Sequence, residues 1–243
     1  MADRSAIEWT DATWNPVTGC TKISPGCAHC YAETITLRFK RGGPFLPGKT
    51  TINLHPDRLD APGKWRSPRM IFVNSMSDLF HEEVPFEFIR EVFRRMETYD
   101  WHTYQVLTKR PERMLEYVEW TGGARWPDHV WAGVSVENQI WVDRRIPLLT
   151  RVPSAVRFLS CEPLLKPIDI RTYLTDIQWV IVGGESGHRA RKMQESWAID
   201  IRDQCRQAGV AFFFKQWGGR TPKVGGRVLG GHIWDEMPVA LSV

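Results

Sequence analysis

Short apolar runs alternate with helical patterns along most of this chain, and that alternation limits the fold more than any other feature. The runs are Met70–Asn74, Tyr104–Leu107, Val130–Val134, Val156–Leu159, Trp179–Val182 and Ala211–Phe214, with an extended segment at Thr13–Val17 as a first strand. Buried β-rich runs separated by helices read as consecutive βαβ units and a parallel sheet. A length of 243 residues suits a (β/α) barrel, which uses about 250 as one unit. The pattern predicts an α/β fold: a single-domain parallel (β/α) barrel over 1–243, partial or nearly closed and TIM-like.

The helices follow from spacing and caps. Pro85 fits a first turn, with Ile89, Val92, Phe93 and Met96 inward. Pro111 opens a second helix, with Met114, Leu115 and Val118 inward and Gly122 past its end. Residues 138–150 carry Ile140, Trp141 and Ile146–Leu149. Ser196 reads as an N-cap for a helix with Trp197, Ile201 and Cys205 on one stripe, ended by Gly209. The linker after Pro167 is less clearly helical. Residues 42–69, rich in Pro and Gly, read as an irregular insertion, and 218–243 as a Gly-rich C-terminal flap.

Composition excludes several classes. With 42% hydrophobic and 25% charged residues, the chain is not globally disordered. No apolar run approaches the roughly 18–20 residues that cross a bilayer. The polar start, Met1 to Ser5, has no signal-peptide core behind it, so a cytoplasmic protein without a membrane partner is expected. The net charge of +4 is compatible with a nucleic-acid partner.

Each strand leads into charged residues. Ser75-Met76-Ser77-Asp78, Thr108-Lys109-Arg110, Ser135-Val136-Glu137-Asn138, Ser160-Cys161-Glu162, Gly183-Gly184-Glu185-Ser186 and Lys215-Gln216-Trp217 follow the successive runs. In a parallel barrel these ends share one face, where ligands bind. Asp78, Lys109, Glu137, Glu162, Glu185 and Lys215 are therefore expected at one mouth; the competing reading is that they cap helices or form ion pairs. Gly183–Gly187 could cradle a phosphate through backbone N–H groups.

The cysteines are odd in number, five, and three of them, Cys20, Cys27 and Cys30, fall in one short loop after the first strand. That argues for metal rather than for a secreted disulfide framework. Thiolates suit zinc and iron–sulfur clusters. A structural zinc site would need a fourth ligand, with His29, His55 or Cys161 as candidates. A [4Fe–4S] cluster held by three cysteines would leave one iron open to an exogenous ligand. Unligated thiols are the third reading. Cys205, on a helical stripe, reads as core.

A three-cysteine loop after the first strand of a parallel α/β barrel, closing in Cys27-x-x-Cys30, resembles the radical S-adenosylmethionine superfamily. The whole chain resembles an uncharacterised family first catalogued in bacteriophage genomes, on Trp14-Asn15-Pro16, Gly19-Cys20, Ser77–Phe80, Thr108–Pro111, Gly133–Glu137, Ser160–Leu164, Gly183–Gly187 and Lys215–Gly218. Spore photoproduct lyase is a characterised relative in the broader superfamily.

The resemblance implies that Cys20, Cys27 and Cys30 hold a [4Fe–4S] cluster. S-adenosylmethionine would bind the open iron and be cleaved reductively to a 5′-deoxyadenosyl radical. It implies His29 beside the adenine, Asn74, Ser75, Ser77 and Asp78 at the methionine moiety, and Ser135 and Glu137 at the ribose. Lys109, Glu162, Glu185 and Lys215 become catalytic candidates, and Arg110, Cys161 and Trp217 substrate contacts. Arg189, Arg191 and Lys192, with Trp217, suit a nucleotide or nucleic-acid substrate. An electron donor such as flavodoxin or ferredoxin is implied. Two departures stand: the first cysteine gap is longer than the superfamily's usual three residues, and Gly183-Gly184-Glu185 follows a late strand rather than the second. The rival from another class is a zinc-stabilised module that binds nucleic acid or protein.

Overall fold

The computed structural model describes residues 5–39 and 42–238. Lys40 and the flap residues 239–243 lie outside them. Seven strands form one parallel sheet: β1 (Ala12–Trp14), β4 (Met70–Val73), β5 (Thr103–Thr108), β6 (Val130–Ser135), β7 (Arg157–Cys161), β8 (Trp179–Gly183) and β9 (Ala211–Gln216). Two short strands, β2 (Val17–Thr18) and β3 (Asn53–Leu54), pair separately and antiparallel. The order in the large sheet is β1-β4-β5-β6-β7-β8-β9, without reversal. That is the winding of a (β/α) barrel rather than of a doubly wound sheet. β1 and β9 end the order, so the fold is a partial TIM-like one, as the alternation predicted.

The predicted first strand, Thr13–Val17, is two strands. Pro16 has no N–H to give a ladder, so the chain breaks at Asn15-Pro16 and β2 turns to pair with β3 of the insertion, Val17 opposite Leu54.

The chain divides into two compact units. The first comprises Met1–Ile23, Ala32–Ala132 and Val152–Ala155. Its strands β1, β4 and β5 are parallel neighbours. Helix α2 (Phe86–Thr98) buries Ile89, Val92, Phe93 and Met96. Helix α3 (Pro111–Trp120) buries Met114, Leu115, Tyr117 and Val118. Phe93 packs on Tyr117 and Trp126, with ring centroids 5.1 and 4.7 Å apart. The insertion 42–69 is largely irregular, yet Phe45, Leu59 and Trp65 are buried, so it belongs to the core.

The second unit comprises Ser24–Tyr31, Gly133–Arg151 and Val156–Val243. Its strands β7, β8 and β9 are parallel neighbours. Gly133 is required here: a Cβ at that position would run into the Phe158 ring. Helix α4 (Gln139–Leu149) is N-capped by Asn138, whose side chain accepts from Trp141 N–H. Ile140 is exposed, while Arg145 is wholly buried on the stripe of Val142, Ile146 and Leu149. Helix α5 (Glu195–Ala208) starts one residue before the predicted cap, with Gln194 at N-cap. It ends at Gly209 in the left-handed region, φ 67°. The linker after Pro167 holds a 3-10 turn over Arg171–Asp176. The flap contains a small hairpin, β10 (Val228–Leu229) with β11 (His232–Ile233), and Phe214 N–H bonds the Trp234 carbonyl.

Candidate functional site

The cysteine loop runs from β2 to α1 (Tyr31–Arg38). Gly19 opens it at φ 93°, where a side chain would also strike the Thr51 carbonyl. Pro25–Cys27 form a 3-10 turn, and Cys30 directly precedes α1. Cys20, Cys27 and Cys30 are unbridged and half-buried. Among the described residues no group of three or more His, Cys, Asp and Glu is arranged to hold a single metal ion. Thiolates of this kind serve zinc and iron–sulfur clusters alike. Of the expected fourth ligands, His55 meets Thr18 Oγ1 at 2.8 Å, and His29 turns to Glu185.

In the first unit, Arg110 grips the start of the loop. Its Nη2 donates to the Thr21 carbonyl (3.0 Å) and to Thr21 Oγ1 (2.9 Å). Its Nη1 donates to Cys20 Sγ at 3.6 Å and to Asp78 Oδ2 at 3.2 Å, and its Nε to Glu82 Oε1 at 3.0 Å. Arg110 is buried. These bonds occupy its N–H donors and tie it to the loop. Asp78 also accepts from Thr108 Oγ1 (2.6 Å), Lys109 N–H (3.0 Å) and Phe80 N–H (3.1 Å). Burial raises its pKa, but the Arg110 charge and these hydrogen bonds outweigh it and hold the carboxyl below its ordinary range. Asp78 is thus an anchor for Arg110.

His81 closes the same cluster. Glu83 N–H donates to its Nδ1 (3.2 Å), which leaves the proton on Nε2 to bond Thr21 Oγ1 at 2.9 Å. Burial, then the Arg110 charge, push its pKa down.

At the end of β4, Asn74 takes φ 59°, the one non-glycine residue with positive φ among the described residues. Its Oδ1 accepts from Val17 N–H, and its buried Nδ2 has no hydrogen-bond partner. An orphaned buried donor at a strand end is the kind of group a ligand satisfies. Ser75 Oγ sits 3.2 Å from Asn15, and Ser77 Oγ donates to the Val17 carbonyl.

In the second unit, two buried acids hold residues 25–29. Glu137 accepts from Gly26 N–H (3.1 Å) and from Arg145 Nη1 (3.0 Å). Both side chains are 1% exposed, so this ion pair is dry, and Arg145 also lies 3.9 Å from the Trp141 ring centroid. Arg145 Nη1 donates to the Ser135 carbonyl as well. Glu185 accepts from His29 Nδ1 at 3.0 Å and from Arg191 through Nε (2.8 Å), Nη2 and the backbone N–H (2.9 Å). Arg191 Nη2 reaches on to the Pro25 carbonyl at 2.9 Å. Burial works against the Glu185 charge, but the bonds from Arg191 and His29 prevail and lower its pKa to about 2.

At the ends of β7 to β9, Glu162 and Lys215 pair with each other at 2.7 Å. Cys161 is wholly buried, and burial first, then Cys205 and the nearby acids, raise its thiol pKa well above the ordinary value. Within Gly183–Gly187, Gly184 N–H bonds the Gln216 carbonyl and Gly187 N–H the Gly219 carbonyl, so these two are not open to a phosphate. Gly184 packs so close that a Cβ would run into the Trp217 carbonyl. The Trp217 ring lies edge-on to Phe214 and its Nε1 bonds the Val228 carbonyl.

The family model described as a protein of unknown function, DUF5131, matches residues 4–238. The chain belongs to the DUF5131 family. No curated protein matches its sequence. Among solved structures, a cysteine-to-serine variant of spore photoproduct lyase is similar at TM-score 0.56 and 12% identity, over 88% of this chain and 79% of that one. Spore photoproduct lyase complexed with dinucleoside spore photoproduct gives 0.52 and 12%, over 82% and 75%. At these identities the likeness is one of fold.

Within this DUF5131 chain the residues missed by sequence reading are the supports: Thr21, His81, Arg145 and Gln216. Arg145 carried a signal, since a charge sits on the apolar stripe of α4. Gln216 keeps a buried Oε1 without a partner at the end of β9. Arg189 and Lys192 are exposed on the loop after Gly187.

Proposed function

We propose that this protein is a radical S-adenosylmethionine-type enzyme whose cysteine loop holds a [4Fe–4S] cluster through Cys20, Cys27 and Cys30. The observation that carries the reading is a Cys-x6-Cys-x2-Cys loop after the first strands of a chain whose fold matches spore photoproduct lyase over 88% of its length. The donors suit the group: three unbridged thiols, with an arginine N–H at Cys20 and backbone anchors on Thr21, Pro25 and Gly26. When bound, such a cluster supplies the electron that cleaves S-adenosylmethionine and starts radical chemistry on a substrate.

The chain's own residues would bind and orient. Asn74 Nδ2, buried and unpaired, suits a carboxylate oxygen of the methionine moiety, with Ser75 and Ser77 beside it in sequence. Ser135, Glu137 and His29 remain assigned to the nucleoside, Glu137 and His29 acting through the loop they hold. Lys109, Lys215 and Glu162 are assigned to the substrate, with Lys215 Nζ and Glu162 Oε2 paired at 2.7 Å. Trp217 offers an apolar ring, while Cys161 and Arg110 serve as internal supports.

A nucleotide or nucleic-acid substrate is favoured by the exposed Arg189, Lys192, Arg220 and Lys223, and by the dinucleoside held in one structural neighbour. The electron would come from a flavodoxin or ferredoxin. No helix among the described residues is long and apolar enough to cross a membrane. We assign the protein to the cytoplasm, where thiols stay reduced.

The test is anaerobic incubation with S-adenosylmethionine and dithionite, with 5′-deoxyadenosine measured by chromatography. Wild type should release it, and Cys27→Ala and Cys30→Ala should not. No release from iron-replete wild type overturns the proposal.

A further inference from the structure

We infer that Arg110 is the positioning residue of the cysteine loop, fixing Cys20 and raising the reduction potential of the iron–sulfur group carried there; this rests on the cluster reading above. Arg110 touches two consecutive loop residues. It donates to Cys20 Sγ at 3.6 Å and twice to Thr21, at 3.0 and 2.9 Å. The far side of the guanidinium is held by Asp78 and Glu82 at 3.2 and 3.0 Å. Asp78 is fixed in turn by Thr108 and two backbone N–H groups. Arg110 itself stands at the N-cap position of α3, with its N–H on Thr108 Oγ1 at 2.8 Å. The fork therefore has one orientation.

The physical consequence is electrostatic. A one-electron reduction adds negative charge that spreads onto the cluster sulfurs, so a charged N–H donor at a ligand sulfur favours the reduced form. Lysine, a point charge without the planar fork, cannot reach Sγ, Thr21 and Asp78 together.

Arg110→Gln alone would strand the Asp78 carboxylate, so the comparison is D78N against D78N/R110Q, with R110K beside wild type. Each is purified without oxygen and reconstituted with iron and sulfide. Circular dichroism checks folding, and the reduced cluster's paramagnetic signal is followed against applied potential. At a fixed poise, the ratio of reduced to oxidised cluster should fall about tenfold from D78N to D78N/R110Q, equal to about 59 mV for one electron. R110K should shift the same way by less. Loss of iron from folded D78N/R110Q also supports the inference. An unchanged midpoint and unchanged spectrum overturn it. Should the double variant not fold, R110K decides on the same readout. Wild type that takes up no iron and sulfide overturns the cluster reading itself, a separate outcome.

Discussion

Glu185→Gln should destabilise the protein at neutral pH and lose that effect in acid. The carboxylate is buried, 4% exposed, and accepts from Arg191 and His29. Its pKa falls from 4.5 to about 2, which corresponds to about 3 kcal/mol at about 1.4 kcal/mol per unit. Arg191 and His29 are about a third exposed, so solvent screening reduces the expected figure to about 2 kcal/mol. A carboxyl whose folded pKa is depressed stabilises fully above its unfolded value. That contribution fades as pH drops from about 5 towards 2. Urea unfolding of wild type and E185Q at pH 7 and pH 3 separates this group from carboxylates common to both. The gap should be about 2 kcal/mol at pH 7 and less than half that at pH 3. A gap that is absent at pH 7, or the same at both, refutes the reasoning.

Glu137→Gln leaves Arg145 charged in the core and should cost about 3 kcal/mol in urea unfolding. Most of that should return in Glu137→Leu with Arg145→Met, and equal stability of E137Q and wild type would contradict the dry pair. Gly184→Ala should cost about 3 kcal/mol or prevent folding, because the added methyl meets the Trp217 carbonyl; an unchanged melting temperature would show that the backbones are not so close. Cys161→Ser should leave iron and sulfide uptake unchanged, since that thiol is buried and held neutral; loss of iron would make it a ligand.

The strands could be read because β-branched and aromatic runs alternate with helical stripes, and Ile89, Val92, Phe93 and Met96 all proved buried. The break at Pro16 could not, because a lone proline marks an edge or a turn equally well until its partner strand is known. The charged residues at the strand ends were found, but their partners were not. Gly26 lies 111 residues from Glu137, and His29 lies 156 from Glu185. Nothing local ties such groups together. Hence Asp78, Arg110, Glu137 and Glu185 read as ligand contacts, while their ion pairs with Arg110, Asp78, Arg145 and Arg191 went unread. The ion-pair reading of the strand ends holds for Asp78, Glu137, Glu162 and Glu185.

Iron and sulfide content, determined on protein purified without oxygen, tests the central claim most directly. The account predicts about four of each per chain, lost together in the triple variant Cys20→Ala, Cys27→Ala, Cys30→Ala. Colourless protein carrying about one zinc, with no iron after reconstitution, would contradict it.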